Sequence, residues 1–116
     1  MKRIYYLSTC DTCRKILAQI NTEGVELINI REHLISKEDL ILMRKSVGSY
    51  ELLFNKRAQK LKEMSEDQKP KKETDYKRLI LSEYTFMKRP AAIIDEQIIV
   101  GNDKKAVEKL LKLLSK

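Results

Sequence analysis

The sequence predicts an α/β domain built on a mixed four-stranded sheet, and three observations carry that reading. The first thirty residues run strand-like, helix-like, strand-like, and such a crossover favours a parallel pair. Residues 91–100 hold two short β-rich runs on either side of Asp95-Glu96, the pattern of an antiparallel hairpin. Between them, from about residue 36 to 88, helical spacing persists and strand-like alternation is absent. The predicted order is β-α-β, a helical insertion, then β-β-α, within one domain spanning 1–116.

Each element has a local reason. Lys2 to Leu7 supplies β-formers in Ile4, Tyr5, Tyr6 and Leu7. A helix is expected from Thr12 to Asn21, where Cys13, Ile16, Leu17 and Ile20 recur at helical spacing and should face inward. Gly24 suits the end of that helix, and Val25 to Ile30 reads as the second strand. Ser36, followed three residues later by Asp39, marks a helix start; that helix should run to Val47 and stop at Gly48. A short helical turn is expected at 50–54 and a weak helix at 58–64. Ser65 is expected to cap a further helix before Pro70, and Thr74 to cap one running to Tyr84. Ala91 to Ile94 and Gln97 to Val100 are the hairpin strands. Asn102 or Asp103 should cap a last helix from Lys104 to Leu114.

Composition narrows the function classes. A chain of 116 residues with 42% hydrophobic content builds one real core. The apolar run behind Met1-Lys2-Arg3 ends by Leu7, too soon for a signal peptide, and nothing approaches the ~20 apolar residues of a membrane span. The net charge is +7, with the excess in residues 55–78 (nine cations, five anions) and 104–116 (five cations, one anion). Such a surface can attract anions, nucleic acid or an acidic protein surface, but a set of solvated helix faces is the preferred reading. Direct nucleic-acid binding is disfavoured, because aromatics are not interleaved with the basic residues.

The chemistry points to Cys10-Asp11-Thr12-Cys13-Arg14. These are the only two cysteines, placed at a strand-to-helix junction where helix amides and nearby cations favour a thiolate. Cys10 should sit at the mouth of the helix and attack; Cys13, on the inward face, should resolve the adduct as a disulfide. The alternatives are two small core hydrophobes, as buried cysteines often are, or a zinc site. For zinc the chain offers only these two cysteines and His33, a loop residue, against the four ligands a closed site needs, so no metal is expected. The spacing after a strand reads as redox chemistry, and one catalytic-looking pair fits the reducing cytoplasm. Arg14, Arg57 and Arg89 are placed to meet an oxyanion, which a guanidinium binds through two parallel hydrogen bonds. Pro90 follows Arg89 at the start of a strand, where its missing donor is tolerated.

Three motifs in order, Cys10-Asp11-Thr12-Cys13-Arg14, Leu53-Phe54-Asn55-Lys56-Arg57, and Lys88-Arg89-Pro90 followed by Ala91 to Gly101, resemble the ArsC/Spx family of thioredoxin-like proteins over nearly the full length. The resemblance implies a thioredoxin-like fold with a helical insertion and a cis Arg89-Pro90 bond opposite Cys10, making Thr12 and Pro90 substrate-positioning residues. In the arsenate reductase branch it implies attack on arsenate by the Cys10 thiolate, with Arg14, Arg57 and Arg89 holding the oxyanion. Glutathione and glutaredoxin are the reductants there; no tightly bound cofactor is implied. In the Spx branch it implies a redox-sensing regulator that binds the C-terminal domain of the RNA polymerase α-subunit, with Gly48 as the candidate contact glycine. The chain departs from the reductase pattern in three places. Cys13 stands where serine is usual, Tyr6-Leu7-Ser8 replaces a His-Asn-Pro-like lead-in, and Asp95-Glu96-Gln97 lacks a further arginine. A second thiol allows an internal disulfide that thioredoxin or glutathione would open. The expected activity is that of a cytoplasmic thiol oxidoreductase acting on a small oxyanion or a disulfide, with the redox switch as the alternative.

Overall fold

A computed structural model describes the whole chain, Met1–Lys116. It divides into two compact units: residues 1–33 with 89–116, and residues 34–88 between them in sequence.

The first unit holds the sheet. Strand β1 (Lys2–Tyr6) is followed by helix α1 (Asp11–Gln19) and strand β2 (Glu26–Asn29). After the second unit come β3 (Ala91–Ile94), β4 (Gln97–Val100) and helix α5 (Lys104–Leu113). The strand order is β2-β1-β3-β4. β1 and β2 are parallel, with Tyr6 beside Asn29; β1 and β3 are antiparallel, with Tyr5 beside Ala91; β3 and β4 form the antiparallel hairpin. The mixed α/β sheet is the predicted one, and the hairpin strands match residue for residue. Every residue of β3 is buried, as a central strand covered on both faces requires. Ile4, Ala92, Ile94 and Ile99 pack with Ile16 of α1, with Ile20 at its C-terminal end, and with Leu110 and Leu114 at the end of α5. Of the predicted inward face, Cys13, Ile16 and Ile20 are buried and Leu17 is partly buried against the same core, with Ile20 just past the last residue of α1.

In the first unit, two local expectations change. Gly24 does not end α1. It takes φ +76 in a turn closed by the Val25 N–H on the Thr22 carbonyl (3.0 Å), a position that favours glycine. Asp103 occupies the N-cap position of α5, but its side chain makes no capping bond. At the hairpin, Asp95 takes φ 56, and its carboxylate pairs with the Met1 ammonium at 3.1 Å.

The second unit is helical: α2 (Lys37–Val47), α3 (Gln59–Glu63) and α4 (Glu73–Ser82), with 3-10 turns at Glu51–Leu53 and Tyr84–Phe86. Ser36 caps α2 as expected, its Oγ accepting the Asp39 N–H at 3.1 Å, and Gly48 ends the helix at φ +117. Ser65 starts no helix; its carbonyl accepts from Gln68 and Lys69, and the chain stops after that single turn. Nor is Thr74 the cap of α4. The helix begins behind Lys72, because the Asp75 carboxylate reaches back to the N–H groups of Lys71 (3.1 Å) and Lys72 (3.2 Å). Tyr84 lies beyond the helix, in the second 3-10 turn. Phe54 anchors this unit, stacked on Phe86 with ring centres 5.2 Å apart and edge-on to Tyr76 at 5.1 Å. No helix of either unit is long and apolar enough to cross a membrane.

Candidate active site

Sheet direction assembles the site. β1 ends at Tyr6, and its parallel neighbour β2 ends beside it at Asn29. The antiparallel neighbour β3 begins at the same end, so Arg89 and Pro90 enter the sheet next to the loop that carries Cys10. The Arg89-Pro90 bond is cis, and the Pro90 carbonyl accepts the Gly101 N–H at 2.8 Å.

Cys10 is the N-cap of α1, with extended φ −94 and ψ 115. Its N–H donates to the Leu7 carbonyl and its own carbonyl accepts the Arg14 N–H, both at 3.1 Å. An N-cap side chain is aimed at the first free amides of its helix. Partial burial disfavours the Cys10 thiolate. It is outweighed by the Cys13 N–H, the Cys13 thiol, the Thr12 N–H and the positive charge of Arg89, so the Cys10 thiol is held below its ordinary value. Cys13 is the reverse case. It is fully buried, and burial pushes its thiol up to about 11, against a backbone hydrogen bond at Leu7 and with the charge and hydrogen bond of Cys10 adding to the rise. Arg89 pulls the other way at both sulfurs. One thiol is thus accessible and acidic, the other enclosed and basic, and both are reduced.

The remaining candidates divide. Arg14 is exposed and ion-paired with Asp11 one turn back on α1, so part of its charge is answered locally. Thr12 is exposed, and its contribution at Cys10 comes from the backbone N–H. Arg57 belongs to the second unit, in an exposed loop whose N–H is held by Asn55 Oδ1 at 3.1 Å. His33 is exposed in the turn after β2, and no three His, Cys, Asp or Glu side chains converge.

Asn29 joins the site without having been singled out by its spacing. Its Nδ2 donates to Ser8 Oγ (2.9 Å) and Glu32 Oε1 (3.3 Å), and its Oδ1 accepts the N–H groups of Ser8 and Arg31, both at 3.3 Å. The only sequence signal is a lone amide that follows the apolar pair Leu27-Ile28 at the end of the strand.

The model of the ArsC family matches residues 5–110 of this chain. The chain belongs to the ArsC family. No curated protein matches it by sequence. Among solved structures it is similar to the YFFB protein, with a TM-score of 0.79 at 20% identity, over 96% of this chain and 99% of that one. It is also similar to an arsenate reductase from Vibrio cholerae, with a TM-score of 0.76 at 18% identity, over 97% of each chain. An arsenate reductase (ArsC) related protein from Brucella melitensis aligns with a TM-score of 0.65 at 22% identity, over 96% of this chain and 94% of that one. At these identities the likeness is one of fold: the ArsC thioredoxin-like fold, with the helical unit inserted between β2 and β3.

The buried thiol makes alkaline stability a measurable property of this ArsC-family protein. Unfolded, Cys13 ionises near 9.0; folded, near 11. Its contribution to stability is therefore complete below pH 9 and lost as the pH rises toward 11. The stability advantage of the wild type over Cys13→Ala should shrink by on the order of 2 kcal/mol across that window. Urea unfolding at several pH values measures it, and a pH-independent difference would contradict the assigned environment of Cys13.

Proposed function

We propose that this ArsC-family protein is a cytoplasmic thiol oxidoreductase that reduces arsenate, with Cys10 as nucleophile and Cys13 as resolving thiol. The ordering of the two sulfurs carries the reading: the accessible one is held toward thiolate, and the enclosed one is kept protonated within hydrogen-bonding reach of it.

The Cys10 thiolate attacks arsenic, a water is lost, and an S–As(V) bond forms. The charge on Cys10 that raised the Cys13 thiol then disappears, together with the hydrogen bond between the two sulfurs. Cys13 gives up its proton more readily and attacks the Cys10 sulfur. The disulfide forms, the S–As electron pair stays on arsenic, and arsenite leaves. Two thiols become one disulfide as As(V) becomes As(III). Glutathione with glutaredoxin, or thioredoxin, returns the disulfide to two thiols. Arg89 stabilises the negative charge that develops on the oxyanion. Arg14 and Arg57 share that task in our reading, on the family resemblance alone.

The deciding experiment mixes the reduced protein with arsenate, free of other thiols. One arsenite and one disulfide should form per chain, and glutathione–glutaredoxin or thioredoxin should then restore multiple turnovers. A disulfide that forms and reopens while no arsenite appears with either donor would sink this reading. It would turn attention to the switch, tested by whether oxidation alters affinity for the C-terminal domain of the polymerase α-subunit.

A further inference from the structure

The segment carrying Cys10 has few restraints of its own. Between β1 and α1, its internal main-chain bond is the Leu7–Cys10 turn. Beside the hydrogen bond between the Leu7 backbone and the Cys13 thiol, a further restraint comes from Asn29, twenty-one residues from Ser8 in sequence. The parallel register of β1 and β2 brings the amide to Ser8, and the Ile30 N–H donates to the Tyr6 carbonyl at 2.8 Å to lock that register. The Asn29 amide then bonds Ser8 twice, through its main-chain N–H and its hydroxyl. It also ties down the following turn at Arg31 and Glu32, and the Asn29 carbonyl accepts from Glu32 and His33, both at 3.0 Å. Both halves of the amide are used. A carboxylate cannot donate to Ser8 and Glu32, and an aliphatic side chain makes none of these bonds.

We propose that Asn29 is a positioning residue: by clamping Ser8 it holds the Ser8–Cys10 segment so that the Cys10 sulfur stays on the first amides of α1. Asn29 touches no reacting atom. Its effect is to keep the N–H groups of Thr12 and Cys13 aligned with a sulfur that would otherwise move with the loop. A hydrogen bond weakens steeply as its angle closes, so a small displacement of Ser8 is felt at the thiolate. The inference rests on Cys10 being the attacking thiol, but it does not need arsenate to be the substrate.

The test follows iodoacetamide alkylation of Cys10 in the reduced, oxygen-free protein, by peptide mass, from pH 5 to 10. Asn29→Ala should move the inflection to higher pH and slow alkylation at pH 7 by about three- to tenfold. Ser8→Ala, which keeps the main-chain bond to Asn29, should move both in the same direction by less. Ile28→Ala, on the same strand, serves as the control for a loss of sheet stability alone and should leave the inflection where it is. Unchanged profiles in Asn29→Ala and Ser8→Ala, or an equal shift in Ile28→Ala, would overturn the proposal. Should Asn29→Ala fail to fold, Ser8→Ala decides. A failed arsenate assay leaves this experiment intact, and a failed clamp leaves the arsenate reaction standing.

Discussion

Cys10→Ser is expected to abolish arsenate-dependent turnover, by at least about 10⁴-fold, because no other accessible thiol can begin the reaction. Cys13→Ser should behave differently. The first step needs only Cys10, so the variant should still bond arsenic but should stall there unless an external thiol attacks. Added glutathione should rescue Cys13→Ser and leave Cys10→Ser inactive. Arsenite release, followed with and without glutathione, separates the two roles. Equal loss in both variants, with no rescue, would show that the sulfurs do not divide the work as assigned. In Cys13→Ser the new hydroxyl can still hydrogen-bond Cys10, so this substitution changes the resolving step more than the attacking thiolate.

Arg89→Leu is the second large effect. Arg89 is the cation whose charge acts at both sulfurs, and it stands beside a proline at the start of β3. Removing it should raise the Cys10 thiol toward its ordinary value, which shifts alkylation to higher pH. It should also lower kcat/KM for arsenate by about 10²–10³-fold, the usual scale for losing one preorganised donor to a developing oxyanion. Arg89→Lys keeps the charge but loses the planar fork, so it should restore the alkylation profile and only part of the turnover. If Arg89→Leu left both measurements unchanged, the positive charge at this end of the sheet would have no part in the chemistry.

Much of the fold is legible in the sequence, for identifiable reasons. Strands at 91–94 and 97–100 stand out because four residues rich in β-formers on each side of Asp95-Glu96 admit little besides a hairpin. Helix α2 stands out because Ser36 and Gly48 mark its two ends. The start of α4 is harder, because Ser65 and Thr74 both look like caps, and the structure instead uses a carboxylate that reaches backward, Asp75. In the site, the burial of Cys13 follows from helical spacing, and the partial exposure of Cys10 from its place at the helix mouth. The pairing of Arg14 with Asp11 lies within one helix turn, yet three-residue spacing alone does not say which partner an arginine takes. Asn29 is out of reach. Its importance depends on the register between β1 and β2, and one residue of slip would turn its side chain to the opposite face.

The order of synthesis gives the late arrival of β3 a further meaning. β1 lies between β2 and β3, but β3 is made only after the whole of residues 34–88. On a ribosome adding roughly 5–20 residues per second, Cys10 waits several seconds for the arginine whose charge helps to acidify it. Until then the nascent chain carries a half-built sheet and a thiol whose partner cation, Arg89, has not yet been translated. Full acidity comes to Cys10 only when the hairpin docks.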